Sequence, residues 1–408
     1  MVPVREAQTI ILERVQPLPP RPFRLGATAL GLTCAEDVPS DRDSPPFDKA
    51  LMDGYAVRAA DLQSGRAELR VIEEVTAGQL PRHAVDPGSA TRIMTGAPIP
   101  AGADTVVIVE KTRLADDGRV VLEDHPSPGQ NILPRGAEMR LGEKVIRAGT
   151  VMRPQEIGVL AAIGKAELQC HPRPLVTILS TGNEIVEVDR TPGPGQIRNG
   201  NGLMLLAQVQ RGGGVPRSML IVPDEKERLR LAVQQGLEAG DVVVLSGGVS
   251  AGKLDLVPGV LADAGVKTHI QKVFMKPGKP MHFGTFERKD GSFCYAFGLP
   301  GNPVSSLVCF ELFVRPALRK MRGLIPGPCI VSARLGADFA YRSDRPTYYP
   351  ARLELSADGW NVTPVPWSGS ADLKSVLAAN AFLVLPEGDK THRAGERYPV
   401  LRVEDDWI

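Results

Sequence analysis

Residues 271–284 read QKVFMKPGKPMHFG, and within them Lys276 and Lys279 each precede a proline and share Gly278. Proline fixes its own φ and narrows the choices of the residue before it, while glycine permits the turn between. The two ammonium groups therefore have little freedom left to lose, and compact charges held in that way suit an oxyanion. The plain alternative is a solvated proline turn. Three more stretches carry related chemistry: STGNE (180–184), SGGVSAGKLD (246–255) and GLPGNPVSS (298–306). SGG by itself is an ordinary turn. GLPGNPVSS by itself is a helix start, with Asn302 as N-cap and Pro303 at the first helical position. Such a start also exposes N–H groups that favour an anion. Glycine-rich backbone donors, two restrained lysines and the carboxylates of Glu184 and Asp255 together suit a phosphorylated ligand with a divalent cation. Mg²⁺ typically takes one or two carboxylates plus phosphate oxygens.

A second constellation lies earlier in the chain. FDKALMDGYAV (47–57) brings Asp48 and Asp53 close, with Gly54 and Tyr55 at an expected helix start. RIMTGAPIP (92–100) carries Thr95 on a turn, and NILPRGAEM (131–139) carries Arg135 and Glu138. The plain reading of Asp53 is a carboxylate at a helix N-terminus.

The elements that must position these residues fall into two rhythms. VREAQTIILERV places Ala7, Ile10, Ile11 and Val15 on one helical face, and PLPPRP (17–22) ends that helix. Residues 27–140 are mostly short β-type runs broken by Gly and Pro, interrupted by MDGYAVRAADL (52–62), which reads as a helix. RPQEIGVLAAIG (153–164) is another helix. From 175 strands and helices alternate: PLVTILSTG, NGLMLLAQVQRGGG, SMLIVPD, DEKERLRLAVQQGLEAG, DVVVLSGG, LVPGVLADAG, THIQKVFM, FCYAFGLPG and a long helix over 303–322. That alternation implies right-handed crossovers and a doubly wound α/β fold with a parallel sheet, whose apolar strands are buried on both faces. In such a sheet ligands bind beyond the carboxyl ends of the strands, and all four chemical stretches follow strands. The last ~80 residues return to short strands, with one helix near 370–379.

Composition bounds the function. A chain of 408 residues exceeds one ordinary core. Lys plus Arg (48) nearly balances Asp plus Glu (47), so no global field favours nucleic acid or a membrane, and an anionic substrate must be held locally. The 5 cysteines show no Cys-x-x-Cys spacing and the 6 histidines no i, i+4 pair, which argues for reduced thiols in a cytoplasm and against a protein-ligated zinc.

Taken in order along the chain, FD..LMDGYAVR, RIMTGAPIP, NI..RG, STGNE, SGGVSAGKLD, KPGKP and GLPGNPVSS resemble the molybdopterin molybdenumtransferase family of MoeA and the gephyrin E-domain. The resemblance implies a multidomain α/β fold in an elongated homodimer. A discontinuous domain would span 1–26 and 141–172, a β-rich domain 27–140, the α/β molybdopterin-binding domain 173–322 and a C-terminal β domain 323–408. It further implies that adenylylated molybdopterin and molybdate react with Mg²⁺ to give molybdenum cofactor and AMP, in a cytoplasmic enzyme. A molybdopterin adenylyltransferase and molybdoenzymes would be its partners.

Carried over by position, Asp53, Glu138, Asp224, Asp255, Lys276 and Lys279 would be catalytic, and Glu184, Asp224 and Asp255 would hold the metal. Thr95, Ser180, Thr181, Gly182, Ser246, Gly247, Gly248 and Ser250 would bind ligand, with Pro300, Gly301, Asn302, Pro303 and Ser305 of the final loop. In the C-terminal region Arg352 and Ser370 would hold an oxyanion. The chain departs from the family pattern at Lys49 and Ala50, where Asn-Ser is usual, at Glu138 and Asn183, where Asp is common, and at Asn199 and Gly200. Two other readings stay open: a non-catalytic molybdopterin carrier or scaffold, and an adenylyltransferase-like nucleotide enzyme.

Overall fold

In the computed structural model, which describes residues 1–115, 117–219, 221–249 and 256–403, the chain divides into two units. One consists of Phe23–Leu30 and Glu36–Leu168, the other of Met1–Pro22, Gly31–Ala35 and Gln169–Ile408.

The first unit is built on a six-stranded sheet in the order Thr112–Leu114, Arg119–Glu123, Arg66–Val75, Ser89–Ile93, Gly54–Val57, Thr105–Ile108. Here the expected helix at 52–62 is wrong. Gly54–Val57 is a strand hydrogen-bonded on both sides, and only Ala59–Leu62 coils, as a 3-10 turn. The physical reason is two-sided burial. Tyr55 and Val57 pack with Leu69, Val107 and Leu122, whereas Ala56 packs on the opposite face with Val75, Ile93 and Val106. Side chains that alternate between two apolar layers favour a period of two. Gly54 is required by its neighbour, since a Cβ there would stand 1.9 Å from the Val107 carbonyl oxygen. The helix Pro154–Ala162 forms as its apolar spacing predicts.

The second unit holds the expected α/β architecture. Its central sheet runs Val215–Ser218, Leu175–Ser180, Val242–Ser246, Phe293–Leu299, His282–Glu287, Lys267–Ile270. The first four strands are parallel, but His282–Glu287 is antiparallel to both neighbours, so the sheet is mixed rather than fully parallel. The reversal is made by Asp290-Gly291, a hairpin signal, with Gly291 at φ 80° and the Arg288 N–H donating to the Ser292 carbonyl at 2.8 Å. The strand expected at 218–224 lies instead at Val215–Ser218. The N-terminal helix Val4–Arg14 buries Ala7 and Ile11, with Val15 beyond its end, in the core of this unit among Phe283, Phe297, Phe310 and Phe313. The long helical run over 303–321 is α-helical at Pro303–Cys309 and Arg315–Met321 and widens to a π-turn over Phe310–Val314.

Five later strands, Ile330–Leu335, Gly359–Pro364, Thr347–Ser356, Ala381–Leu385 and Arg397–Arg402, close into a barrel. A ribbon of Phe339–Ser343 paired with Gly388–His392 accompanies it. The helix expected near 370–379 is a short 3-10 segment, Lys374–Ala378. Among the described residues no helix is long and apolar enough to cross a membrane.

Candidate functional site

The register of the central sheet aligns Ser180 with Ser246 and Ser246 with Leu299, so the loops that follow leave the sheet at one level. The 276–280 turn reaches the same rim, because His282 at the start of its strand pairs with Gly298. Main-chain geometry packs these loops closely. Gly247 and Gly248 have φ of 101° and 63°, and a Cβ on Gly247 would lie 2.5 Å from the Thr181 carbonyl oxygen. Side chains then tie the loops together. Asn201 Nδ2 donates to Ser246 Oγ at 3.0 Å and to the Gly301 carbonyl at 2.7 Å. Asn199 Oδ1 accepts from Ser180 Oγ at 3.0 Å and caps the Gly200–Arg211 helix through Gly202 N–H. Asn199 and Asn201 thus carry amides that staple the loops.

The acidic side of the rim is less fully visible. Thr181 Oγ1 donates to Asp224 Oδ1 at 2.6 Å, and the Asp224 N–H donates to Asn183 Oδ1 at 3.1 Å. Glu184 is exposed and its carboxylate folds back over Gly182. Asp255 and Ser250 lie outside the described residues. Among the described residues no three His, Cys, Asp or Glu side chains gather as a metal cluster.

Opposite the rim, the barrel closes a cavity of about 460 Å³. Lys276, Lys279, Pro300, Asn302 and Ser305 line it from the α/β side, and Tyr341, Arg345, Tyr349, Trp367, Ser368 and Ser370 from the barrel side. The lysine turn is locked by its surroundings. Lys276 N–H donates to the Pro346 carbonyl at 2.9 Å, and Tyr348 N–H donates to the Lys276 carbonyl at 2.7 Å. Gly278 has φ 107°, and a Cβ there would meet Cys309 Sγ at 2.6 Å. The Lys276–Pro277 peptide is cis. Asn302 sits at the N-cap position of its helix, yet its side chain does not cap. Its Nδ2 donates instead to Ser370 Oγ at 2.9 Å, and Val304 N–H donates to the Ser370 carbonyl at 3.1 Å. Ser370 and Pro300 thus line the same cavity as the lysines.

Arg352 does not join them. Thr347–Ala351 are all buried, but from Ala351 to Glu354 burial alternates, and Arg352 falls on the outward face beside Glu354, 3.6 Å away, with its side chain 54% exposed. The arginine in the cavity is Arg345, whose Nη1 donates to the Met275 carbonyl at 3.3 Å and whose Nε donates to Asp344 Oδ1 at 3.2 Å. Sequence reasoning missed it, although Arg345-Pro346 repeats the cation-before-proline pattern of Lys276 and Lys279.

The second constellation lies in the other unit, where hydrogen bonds favour the charged forms of Asp53 and Glu138. Asp53 Oδ1 accepts from the Thr95 N–H at 2.7 Å and from Thr95 Oγ1 at 2.8 Å, which holds its pKa below the ordinary Asp value. Glu138 accepts from Ser44 Oγ at 2.9 Å and from Lys49 Nζ at 3.2 Å, and its pKa is lowered by Ser44 first and then by Lys49. Two departures from the family pattern, Lys49 and Glu138, are therefore partners. Arg135 N–H donates to Asp48 Oδ1 and its Nε to Asp43 Oδ2, both at 2.7 Å. Replacing Lys49 with Met removes one of two donors to Glu138, so the Glu138 pKa is expected to rise toward its ordinary value. Side-chain carboxyl NMR checks the direction, and an unmoved value would show that Ser44 alone sets it.

Comparisons with known proteins identify the family. Residues 2–164 match the model of the MoeA N-terminal region, 177–320 the probable molybdopterin binding domain and 332–403 the MoeA C-terminal region. The chain is 37% identical over 382 residues to a molybdopterin molybdenumtransferase from Nostoc, covering 92% of this chain and 87% of the relative. It is 33% identical over 410 residues to one from Staphylococcus aureus, covering 99% and 96%. A crystal structure of a molybdopterin biosynthesis MoeA protein from Pyrococcus horikoshii superposes with a TM-score of 0.81 at 30% identity, covering 98% of this chain and 100% of that one. Full-length likeness in sequence and fold gives one conclusion: the chain belongs to the molybdopterin molybdenumtransferase family.

Proposed function

We propose that this protein inserts molybdate into adenylylated molybdopterin and releases AMP. The observation that carries the reading is the cavity where Lys276, Lys279 and Arg345 converge with Ser305, Ser368 and Ser370, and where no carboxylate is found among the described lining residues. Three cations in a partly enclosed space attract a small dianion far more strongly than they would in open water.

Each residue then has a task. Lys276, Lys279 and Arg345 hold the oxyanion, with Ser370 fixed by Asn302 as a neighbouring hydroxyl. The backbone N–H groups of Gly248, Gly301 and Asn302 receive the ligand's phosphate. In the other unit Asp53 and Glu138, held in their charged forms, can accept but not donate hydrogen bonds. The dithiolene sulfurs belong to the substrate, so no Cys or His cluster is needed.

Mg²⁺ fits the rim chemistry. Asp224 and Glu184 supply hard carboxylate oxygens, and Asp224 uses only Oδ1 on Thr181, leaving Oδ2 without a hydrogen-bond partner among the described residues. With Asp255, these residues would hold the ion, which offsets charge on the phosphates.

A cytoplasmic homodimer with the four-domain limits given above belongs to the same proposal. So do a molybdopterin adenylyltransferase as supplier and molybdoenzymes as acceptors. The non-catalytic carrier keeps one observation in its favour, the Lys49 ammonium against Glu138.

The test is a pair of measurements on the full chain. Crystals soaked in molybdate and AMP should show oxyanion density among Lys276, Lys279 and Arg345. Adenylylated molybdopterin with Mg²⁺ should release AMP only when molybdate is added. Density elsewhere sinks the site, and binding without AMP release selects the carrier.

A further inference from the structure

Lys276 differs from most cations of this protein in what faces it. Its Nζ lies 5.5 Å from the centroid of the Tyr341 ring. Among the described residues no carboxylate stands within ion-pair distance of it; Asp344, next along the ribbon, pairs with Arg345 at 3.2 Å. The ring is itself held independently of the lysine. Phe339 stacks on it at 5.9 Å and 10°, and Tyr349 meets it edge-on at 5.2 Å and 76°. The Phe339–Ser343 strand that carries it is paired along its length with Gly388–His392.

We propose that Tyr341 is a positioning residue for Lys276, its ring face steering the ammonium into the cavity while leaving its charge intact. The inference rests on the reading of Lys276 as an oxyanion ligand and deepens it. A carboxylate at this place would fix the lysine equally well but would cancel the charge the substrate needs. An aromatic face attracts a cation through its quadrupole, accepts no proton and occupies no strong hydrogen bond, so the N–H groups turned away from the ring remain for an anion. The main chain is clipped at Pro346 and Tyr348, but those bonds fix only the Cα of residue 276. The four-carbon side chain needs its own guide.

The experiment compares Tyr341→Phe and Tyr341→Leu in the full-length protein, each also combined with Lys276→Met. A ring current shifts the Lys276 Hε protons upfield without any ligand, and molybdate affinity is read by calorimetry. The shift is expected in the unaltered protein and in Tyr341→Phe and should be absent in Tyr341→Leu. Molybdate should bind roughly 3- to 30-fold more weakly to Tyr341→Leu, the span of one cation–π contact, and nearly normally to Tyr341→Phe. In the Lys276→Met background the Leu replacement should change nothing further. An absent ring-current shift in the unaltered protein overturns the proposal, as does an equal loss of affinity with or without Lys276. A shift present in the unaltered protein, together with unchanged affinity in Lys276→Met, supports the ring contact and overturns instead the reading of Lys276 as an oxyanion ligand.

Discussion

Protein carrying Lys279→Ala is expected to release AMP in response to molybdate about 10²–10³-fold more slowly than the unaltered chain, the usual cost of deleting one preorganised electrostatic group. The expectation is clean because the fold uses the backbone of Lys279 and not its side chain. Its carbonyl accepts from Val273 N–H at 2.9 Å, a bond that alanine keeps. The residue is exposed at the cavity and forms no ion pair with any described carboxylate. Thermal unfolding should therefore be unchanged while turnover collapses. Burst and steady-state AMP assays across molybdate concentration separate weaker oxyanion binding from a slower chemical step. Undiminished AMP release would remove Lys279 from the reaction.

The second large effect concerns acid stability. His282, 2% exposed, begins the antiparallel strand behind the lysine turn. Its Nε2 lies 3.3 Å from Thr268 Oγ1, and its Nδ1 is buried without a hydrogen-bond partner among the described residues. Burial, with a smaller push from His269, holds its pKa down at about 4, against 6.5 for a free imidazole. The ring is therefore neutral in the folded state, and the unfolded chain binds its proton first. Stability from this group is complete above pH ~6.5 and is lost as pH falls from there through the folded-state value, by about 3 kcal/mol in all. Denaturant unfolding at neutral and mildly acid pH should show that loss in the unaltered protein. The loss should shrink by that amount in His282→Leu, which fills similar space and cannot titrate. Equal acid losses in the two proteins would show that the imidazole gains access to water or a partner when charged.

How far the sequence revealed this molecule depended on whether its signals were local. The four rim stretches were legible because apolar runs such as Val242–Leu245 end at once in glycine or proline, and sheet topology does the rest. The mixed sheet was missed although Asp290-Gly291 announces a reversal, because attention to the βαβ rhythm overrode it. The 52–62 segment misled because Ala56, Arg58, Ala59 and Leu62 are good helix formers, whereas its strand state is imposed by layers packed on both faces. Choosing Arg345 over Arg352 requires knowing which face of a barrel strand turns outward, and a shift in phase reverses the answer. The partnership of Lys49 with Glu138 joins positions 89 residues apart and could not be read from spacing at all.

The tether of Lys276 to the barrel is made of peptide groups, from 276 to 346 and from 348 back to 276. Such a joint is blind to what the side chain is. The side chain at 276 can thus be exchanged without loosening this backbone joint, so on the proposed reading of Lys276 the cavity's preference among oxyanions is open to retuning by single substitutions. Position 276 is a natural first place to look when relatives of different metal preference are compared.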